Sequence, residues 1–200
     1  MVELVPLANA ERLDYLAMLA KATTEAQKSK CLCRRVGAVV VEEYTNRVLG
    51  RGANYPPRWK KPETCNKLTI PKIGGPNDRH CCLHAEQNAI VDAIAHHPLR
   101  DMQGATLFFA DIDLEGNIVA CASKPYCTQC SKFAYHWGIG HWVCFHALGV
   151  WRAGPGWYRY TAEEYNDLSF QYRDDAMKVC DGRVEEDGNV RDHFNNAIST

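Results

Sequence analysis

Apolar residues first recur with helical spacing between Glu11 and Gln27. There Leu13, Leu16, Ala17 and Ala20 fall at i, i+3, i+4 and i+7 among the polar Arg12, Lys21 and Glu25. This predicts an amphipathic helix with that stripe turned inward. The period then changes. Val36-Gly37-Ala38-Val39-Val40-Val41 is short, apolar and β-branched, which predicts a buried strand. Val48 to Gly52 can pair with it across the polar turn Glu42 to Arg47 as an antiparallel hairpin. Residues 53–80, rich in Pro, Gly, Lys and Asn, read as a long loop, and loops of such length in a compact domain are usually functional. A helix is predicted from Leu83 to Ile94, with Leu83, Ile90 and Ile94 buried, and a third strand over Ala105 to Ala110. Ile118 to Ala122 can extend that layer after the turn Glu115-Gly116-Asn117, ahead of a helix over Cys127 to Trp137 and a strand over His141 to Phe145. Such alternation predicts an α/β layered domain. Past Trp151 the chain is aromatic around Gly154-Pro155-Gly156, and Leu168 to Cys180 is predicted helical.

Composition narrows the class. The 200 residues fit a single domain, with a core over about 11–182 and an acidic tail over about 183–200. A formal net charge of −1 disfavours a protein that coats nucleic acid through a basic surface. The sequence has no run of 18 apolar residues and opens without the basic and apolar regions of a secretory signal, so a cytoplasmic protein off the membrane is expected. Charge is uneven: from Lys28 to Arg79 there are 12 Lys/Arg against 4 Asp/Glu, and from Thr161 to Thr200 there are 4 against 10. That is either a cationic surface for a phosphate-bearing substrate or two solvated faces of opposite sign. Ten cysteines without an export signal point to metal ligation or redox chemistry before disulfides.

The chemistry concentrates in His84-Ala85-Glu86 and Cys127-Thr128-Gln129-Cys130, each at a predicted helix start. A Cys-x-x-Cys on a first helical turn brings two sulfurs to one side, where free backbone N–H groups favour thiolates. His84 makes a third ligand. Three protein ligands leave a tetrahedral position open for water, the catalytic rather than the structural pattern for zinc. Glu86 then stands near the metal without binding it, placed to move a proton as the acid/base of zinc nucleobase deaminases does. The blander readings are a structural zinc site with Glu86 as a surface charge, or a thioredoxin-like redox pair.

His84-Ala85-Glu86-Gln87-Asn88-Ala89-Ile90 resembles the corresponding segment of deoxycytidylate (dCMP) deaminases within the cytidine deaminase superfamily. Cys31 to Val41 is similar to their first strand and its approach, and Gly50-Arg51-Gly52-Ala53-Asn54-Tyr55-Pro56-Pro57 to the turn after their second. Gly104-Ala105-Thr106-Leu107 and Gly138-Ile139 follow in order, so the likeness runs from about Leu13 to Phe145. It departs where Tyr126 separates Pro125 from Cys127, and where a hairpin around Gly116 lengthens the stretch between Glu86 and Cys127.

The resemblance implies a three-layer α/β/α fold with a central mixed sheet and the zinc at two helix N-termini. It implies zinc on His84, Cys127 and Cys130, Glu86 as proton shuttle, and hydrolysis of a cytosine nucleotide, foremost dCMP to dUMP. It places Asn54, Ala85 and Arg58 as substrate contacts, Arg58 on a phosphate, with Arg34 or Arg35 as weaker candidates. Asn54 can equally fix a turn before Pro56-Pro57, and Arg34 and Arg35 can be solvated strand-edge charges. A second, structural zinc on Cys31, Cys65, His80 and one of Cys81 or Cys82 is the counterpart of a site in some dCMP deaminases, with Cys33 and Cys81 as plain core residues otherwise. Cys121, Cys144 and Cys180 read as buried inert thiols. A homo-oligomer is expected, with the aromatic segment after Val150 suited to an interface. The rivals are a deaminase of free nucleosides, bases or modified dCMP, a polynucleotide deaminase, which needs a basic aromatic stripe, and a zinc module without catalysis in which Glu86 is dispensable.

Overall fold

The computed structural model describes residues 9–31, 35–56, 82–118, 127–146 and 156–170. Helix α1 (Asn9–Gln27) leads into strands β1 (Arg35–Val41) and β2 (Val48–Ala53). Helices α2 (Ala85–His96) and α3 (Leu99–Met102) precede β3 (Thr106–Ile112), and α4 (Thr128–His136) is followed by β4 (His141–His146) and β5 (Gly156–Thr161). The five strands form one mixed sheet in the order β2-β1-β3-β4-β5, parallel only between β3 and β4. Alternate residues of β1 and β3 face opposite ways, as strand geometry requires. Val39, Val41, Phe108 and Ala110 pack with α1, while Ala38, Val40, Leu107 and Phe109 pack with α2 and α4. Three layers result, as expected from the sequence. No helix among the described residues is long and apolar enough to cross a membrane.

Helix α1 forms where predicted but buries a different stripe. Leu16 is 42% exposed, and Ala17 and Ala20 also face outward. Met18, Leu19, Ala22 and Ala26 are buried instead, with Tyr15 edge-on to Phe108. Both stripes obey helical spacing, and β1 decides between them. A Cβ on Gly37 would lie 2.0 Å from the Ala22 carbonyl oxygen and 2.3 Å from the Ala26 nitrogen, so the helix backbone rests on the strand where small residues meet. On α2, Ile90 is buried and Ile94 partly so, as predicted, but Leu83 is 43% exposed. It precedes the helix and bridges Tyr55.

The opposite face uses the same device. Gly50 and Gly52 of β2 receive Ala85, Ala89 and Ala93 of α2, and a Cβ on Gly52 would stand 2.3 Å from both the Ala85 oxygen and the Ala89 nitrogen. Helix backbone cannot swing aside as a side chain does. Gly52→Ala is therefore expected to destabilise the fold by about 3 kcal/mol, at the upper end for overpacking, read as a lowered urea midpoint. A change below about 0.5 kcal/mol, the range of a neutral surface substitution, would show that α2 does not rest on β2.

Two features went unread in the sequence. Strand β5 completes the sheet, with Tyr158 and Tyr160 buried among the residues beneath α4. A helix already runs through residues 162–170, ahead of the predicted start at Leu168. Thr161 and Glu164 start it as a capping box: Glu164 N donates to Thr161 Oγ1 at 3.1 Å and Thr161 N to Glu164 Oε2 at 2.9 Å. The turn at Glu115-Gly116-Asn117 is present, closed by an Ile112–Ile118 bridge. Residues 119–122 and the acidic tail lie outside the described residues.

Candidate metal centre and active site

His84 is the N-cap of α2 and Cys127 the N-cap of α4, so two positive helix ends converge on one place. His84 Nδ1 lies 3.0 Å from Cys130 Sγ and 3.3 Å from Cys127 Sγ, and the two sulfurs are 2.8 Å apart. Among the described residues this is the one His/Cys/acid group that could hold a metal ion. Zn–S and Zn–N bonds of about 2.3 and 2.1 Å place tetrahedral donors about 3.5–3.8 Å apart. The observed set closes on an ion after a small outward shift, and its nitrogen-and-thiolate chemistry suits zinc. Cys127 Sγ accepts the Cys130 amide at 3.3 Å. The hydrogen bond from Cys130, with His84 adding to it, pulls the Cys127 thiol down to about 5. Burial, and then Cys127 itself, pushes Cys130 upward. Metal binding requires both sulfurs as thiolates, so it would release protons from this site.

Glu86 is 4% exposed, a carboxyl in the first turn of α2 beside this cluster. Burial pushes it up to about 7, against the pull of His84. At that burial Glu86 is not the hydrated surface charge that the structural-zinc reading assumed. Ala85 is fully buried, its carbonyl against Gly52. Asn54 is 8% exposed, and its Oδ1 accepts from Ser29 Oγ and Val36 N, both at 2.7 Å. It therefore ties the chain after α1 to β1 and the end of β2, a role that neither the pocket reading nor the turn before Pro56-Pro57 describes. Leu83 N donates to the Tyr55 carbonyl at 3.0 Å, which holds Tyr55 beside the residue preceding His84. Arg58, Cys65, His80 and Cys81 lie outside the described residues, as do Cys33, Arg34, Tyr126, Cys121 and Cys180. Of the proposed second zinc set, Cys31 is buried and Cys82 half-buried. Cys144, at 1% exposure in β4, is the buried thiol expected.

Sequence reasoning overlooked the support of α4. Ser131, next to Cys130, is fully buried with Ser169 of the helix 162–170, their hydroxyls 2.8 Å apart. Tyr165 of the same helix stacks on Trp142 with ring centroids 4.0 Å apart. The legible signal was Thr161-Ala162-Glu163-Glu164, a capping-box pattern that announces this helix.

Residues 12–146 match the family described as the cytidine and deoxycytidylate deaminase zinc-binding region, and the chain belongs to that family. A deoxycytidylate deaminase of Saccharomyces cerevisiae is 35% identical over 145 residues, covering 70% of this chain and 39% of that protein. One from Schizosaccharomyces pombe is 37% identical over 78 residues, 36% of this chain and 23% of that protein. The chain thus spans well under half the length of these relatives. A dCMP deaminase from the cyanophage S-TIM5, solved with dCMP and dUMP, is 25% identical with a TM-score of 0.43, covering 67% of this chain and 79% of that one.

Proposed function

We propose that the chain is a zinc-dependent deaminase of a cytosine nucleotide, dCMP before others, with His84 Nδ1, Cys127 and Cys130 as zinc ligands. The observation that carries this is Glu86, a buried carboxyl standing beside three converging metal donors where two helix N-termini meet. A bound zinc supplies the Lewis acidity that makes water nucleophilic at neutral pH. Glu86 takes the proton of the attacking water and delivers it to N3 of the cytosine. It then takes the proton of the new C4 hydroxyl and passes it to the amine, the C4–N bond breaks, and ammonia leaves as the C4 oxygen becomes the uracil carbonyl. Water is consumed and no redox partner is needed.

The base would sit over the start of α2. Ala85, the first residue of α2, is the backbone contact expected there. Val36 N–H fixes Oδ1 of Asn54 as an acceptor, so a substrate contact by Asn54 falls to Nδ2. Residues 57–81 hold six Lys/Arg against two Asp/Glu, and Tyr55 ahead of them is held beside the residue preceding His84. This supports Arg58 as a phosphate contact and favours a nucleotide over a nucleoside.

Ammonia release from dCMP, CMP, deoxycytidine and dCTP tests the reading. Release from dCMP is expected to exceed that from deoxycytidine by at least about 10²-fold in kcat/KM, the scale of a lost charged contact worth ~3 kcal/mol. Equal rates would remove the phosphate from recognition. No release from any of the four, in a zinc-loaded chain, would sink the proposed substrate class.

A further inference from the structure

Helix α4 spans only Thr128–His136, and helices this short do not hold their shape without tertiary support. Both its thiolates must nonetheless be placed closely, because metal–ligand distances tolerate only about ±0.2 Å. Turning a helix by about 15° carries an atom ~5 Å from its axis through roughly 1.3 Å. Apolar packing from Cys130 and Ala134 resists such a turn weakly, whereas hydrogen bonds resist it through their directionality.

The polar support comes from beyond the family's matched span. Ser169 Oγ donates to the Asn166 carbonyl at 2.7 Å, and the Ser131 and Ser169 hydroxyls are hydrogen-bonded at 2.8 Å. Ser131 Oγ also stands 3.1 Å from Asn166 Oδ1 and 3.1 Å from the Thr128 carbonyl, which lies between the two ligand cysteines. The base of this chain is itself fixed. Thr161 and Glu164 cap its helix, and Tyr165 is held by the Trp142 stack and edge-on by Tyr160 at 5.7 Å.

We propose that Ser131, Ser169 and Asn166 form a positioning relay through which the helix 162–170 sets the rotation of α4, and so the seating of Cys127 and Cys130 for zinc. These are positioning residues: none is a ligand, and they act through the cysteines. The inference rests on the zinc assignment above and extends the metal site to a segment that the family match at 12–146 does not include.

The test is zinc affinity by chelator competition, together with the visible spectrum of the cobalt-loaded full-length chain, for Ser131→Ala, Ser169→Ala and the double variant. Each single change is expected to weaken zinc binding 10- to 100-fold, as a rough scale for partners that orient ligands, and to shift the cobalt bands. The double variant is expected to be little worse than either single, because both break one chain. Thr106→Val, at a buried hydroxyl in β3, is the control for general destabilisation and should leave zinc affinity within about twofold, since Thr106 is no part of the relay. Affinity and spectrum unchanged in both singles would overturn the relay. So would single effects that multiply in the double variant, or an equal loss in Thr106→Val. A wild-type chain that takes up no zinc would overturn the metal assignment and this inference with it, whereas normal uptake with unshifted variants overturns the relay alone.

Discussion

Glu86→Gln is expected to lower turnover of dCMP by about 10³-fold while zinc stays bound, within the range that a positioned acid/base supplies. The substitution keeps size and hydrogen-bonding reach and removes only the exchangeable proton. At 4% exposure the site has little bulk water to stand in for the missing group. Glu86→Asp keeps the proton but draws the carboxyl back by one methylene. A displacement near 1 Å costs roughly 10²-fold, so Asp should fall between Gln and wild type. Metal analysis of all three proteins by mass spectrometry accompanies the rates. Wild-type turnover in a zinc-loaded Gln variant would end the proton-shuttle assignment and leave Glu86 a structural group. Loss of zinc in the Gln variant would instead make Glu86 part of metal retention.

The site was more legible than the frame around it, for a physical reason. Metal ligation needs particular atoms at short sequence spacings, so His84, Glu86, Cys127 and Cys130 announce themselves locally. Strands β1 and β3 were legible too, because both faces are covered and the sequence runs unbroken through Val39-Val40-Val41 and Leu107-Phe108-Phe109. The buried side of α1 was not. Two interleaved stripes both satisfy the helical period, and the choice lies with Gly37, which admits the backbone at Ala22 and Ala26. Such a fact belongs to a contact between elements and to neither element alone. Strand β5 hid its period of two behind the surrounding Trp, Gly and Pro, although Tyr158 and Tyr160 point inward between Arg159 and Thr161. Asn54 shows a third kind of limit. Its type suggested a pocket role or a turn before Pro56-Pro57, whereas its Oδ1 accepts from Ser29 and Val36, contacts set by how distant segments pack.

Removing one sulfur should separate the metal's share of stability from that of packing. Cys130→Ala is expected to lose zinc, and with it the zinc-dependent shift of the urea midpoint. In wild type, free zinc at about 1,000 times its Kd stabilises the folded state by roughly 4 kcal/mol through mass action, so a chelator should lower the midpoint and added zinc restore it. The fully buried Cys130 also packs in the core, and deleting a group that small costs about 1–2 kcal/mol whether or not metal is present. The variant should therefore start lower and respond to neither chelator nor zinc. Cys144→Ala separates the two effects, since Cys144 is as buried but sits in β4, outside the donor cluster. It should lose the packing contribution and keep the whole zinc response. If Cys130→Ala kept a wild-type zinc response while Cys144→Ala lost it, the donor set would be wrong. If neither variant nor wild type responded, the convergence of His84, Cys127 and Cys130 would be a hydrogen-bonded cluster and not a metal centre.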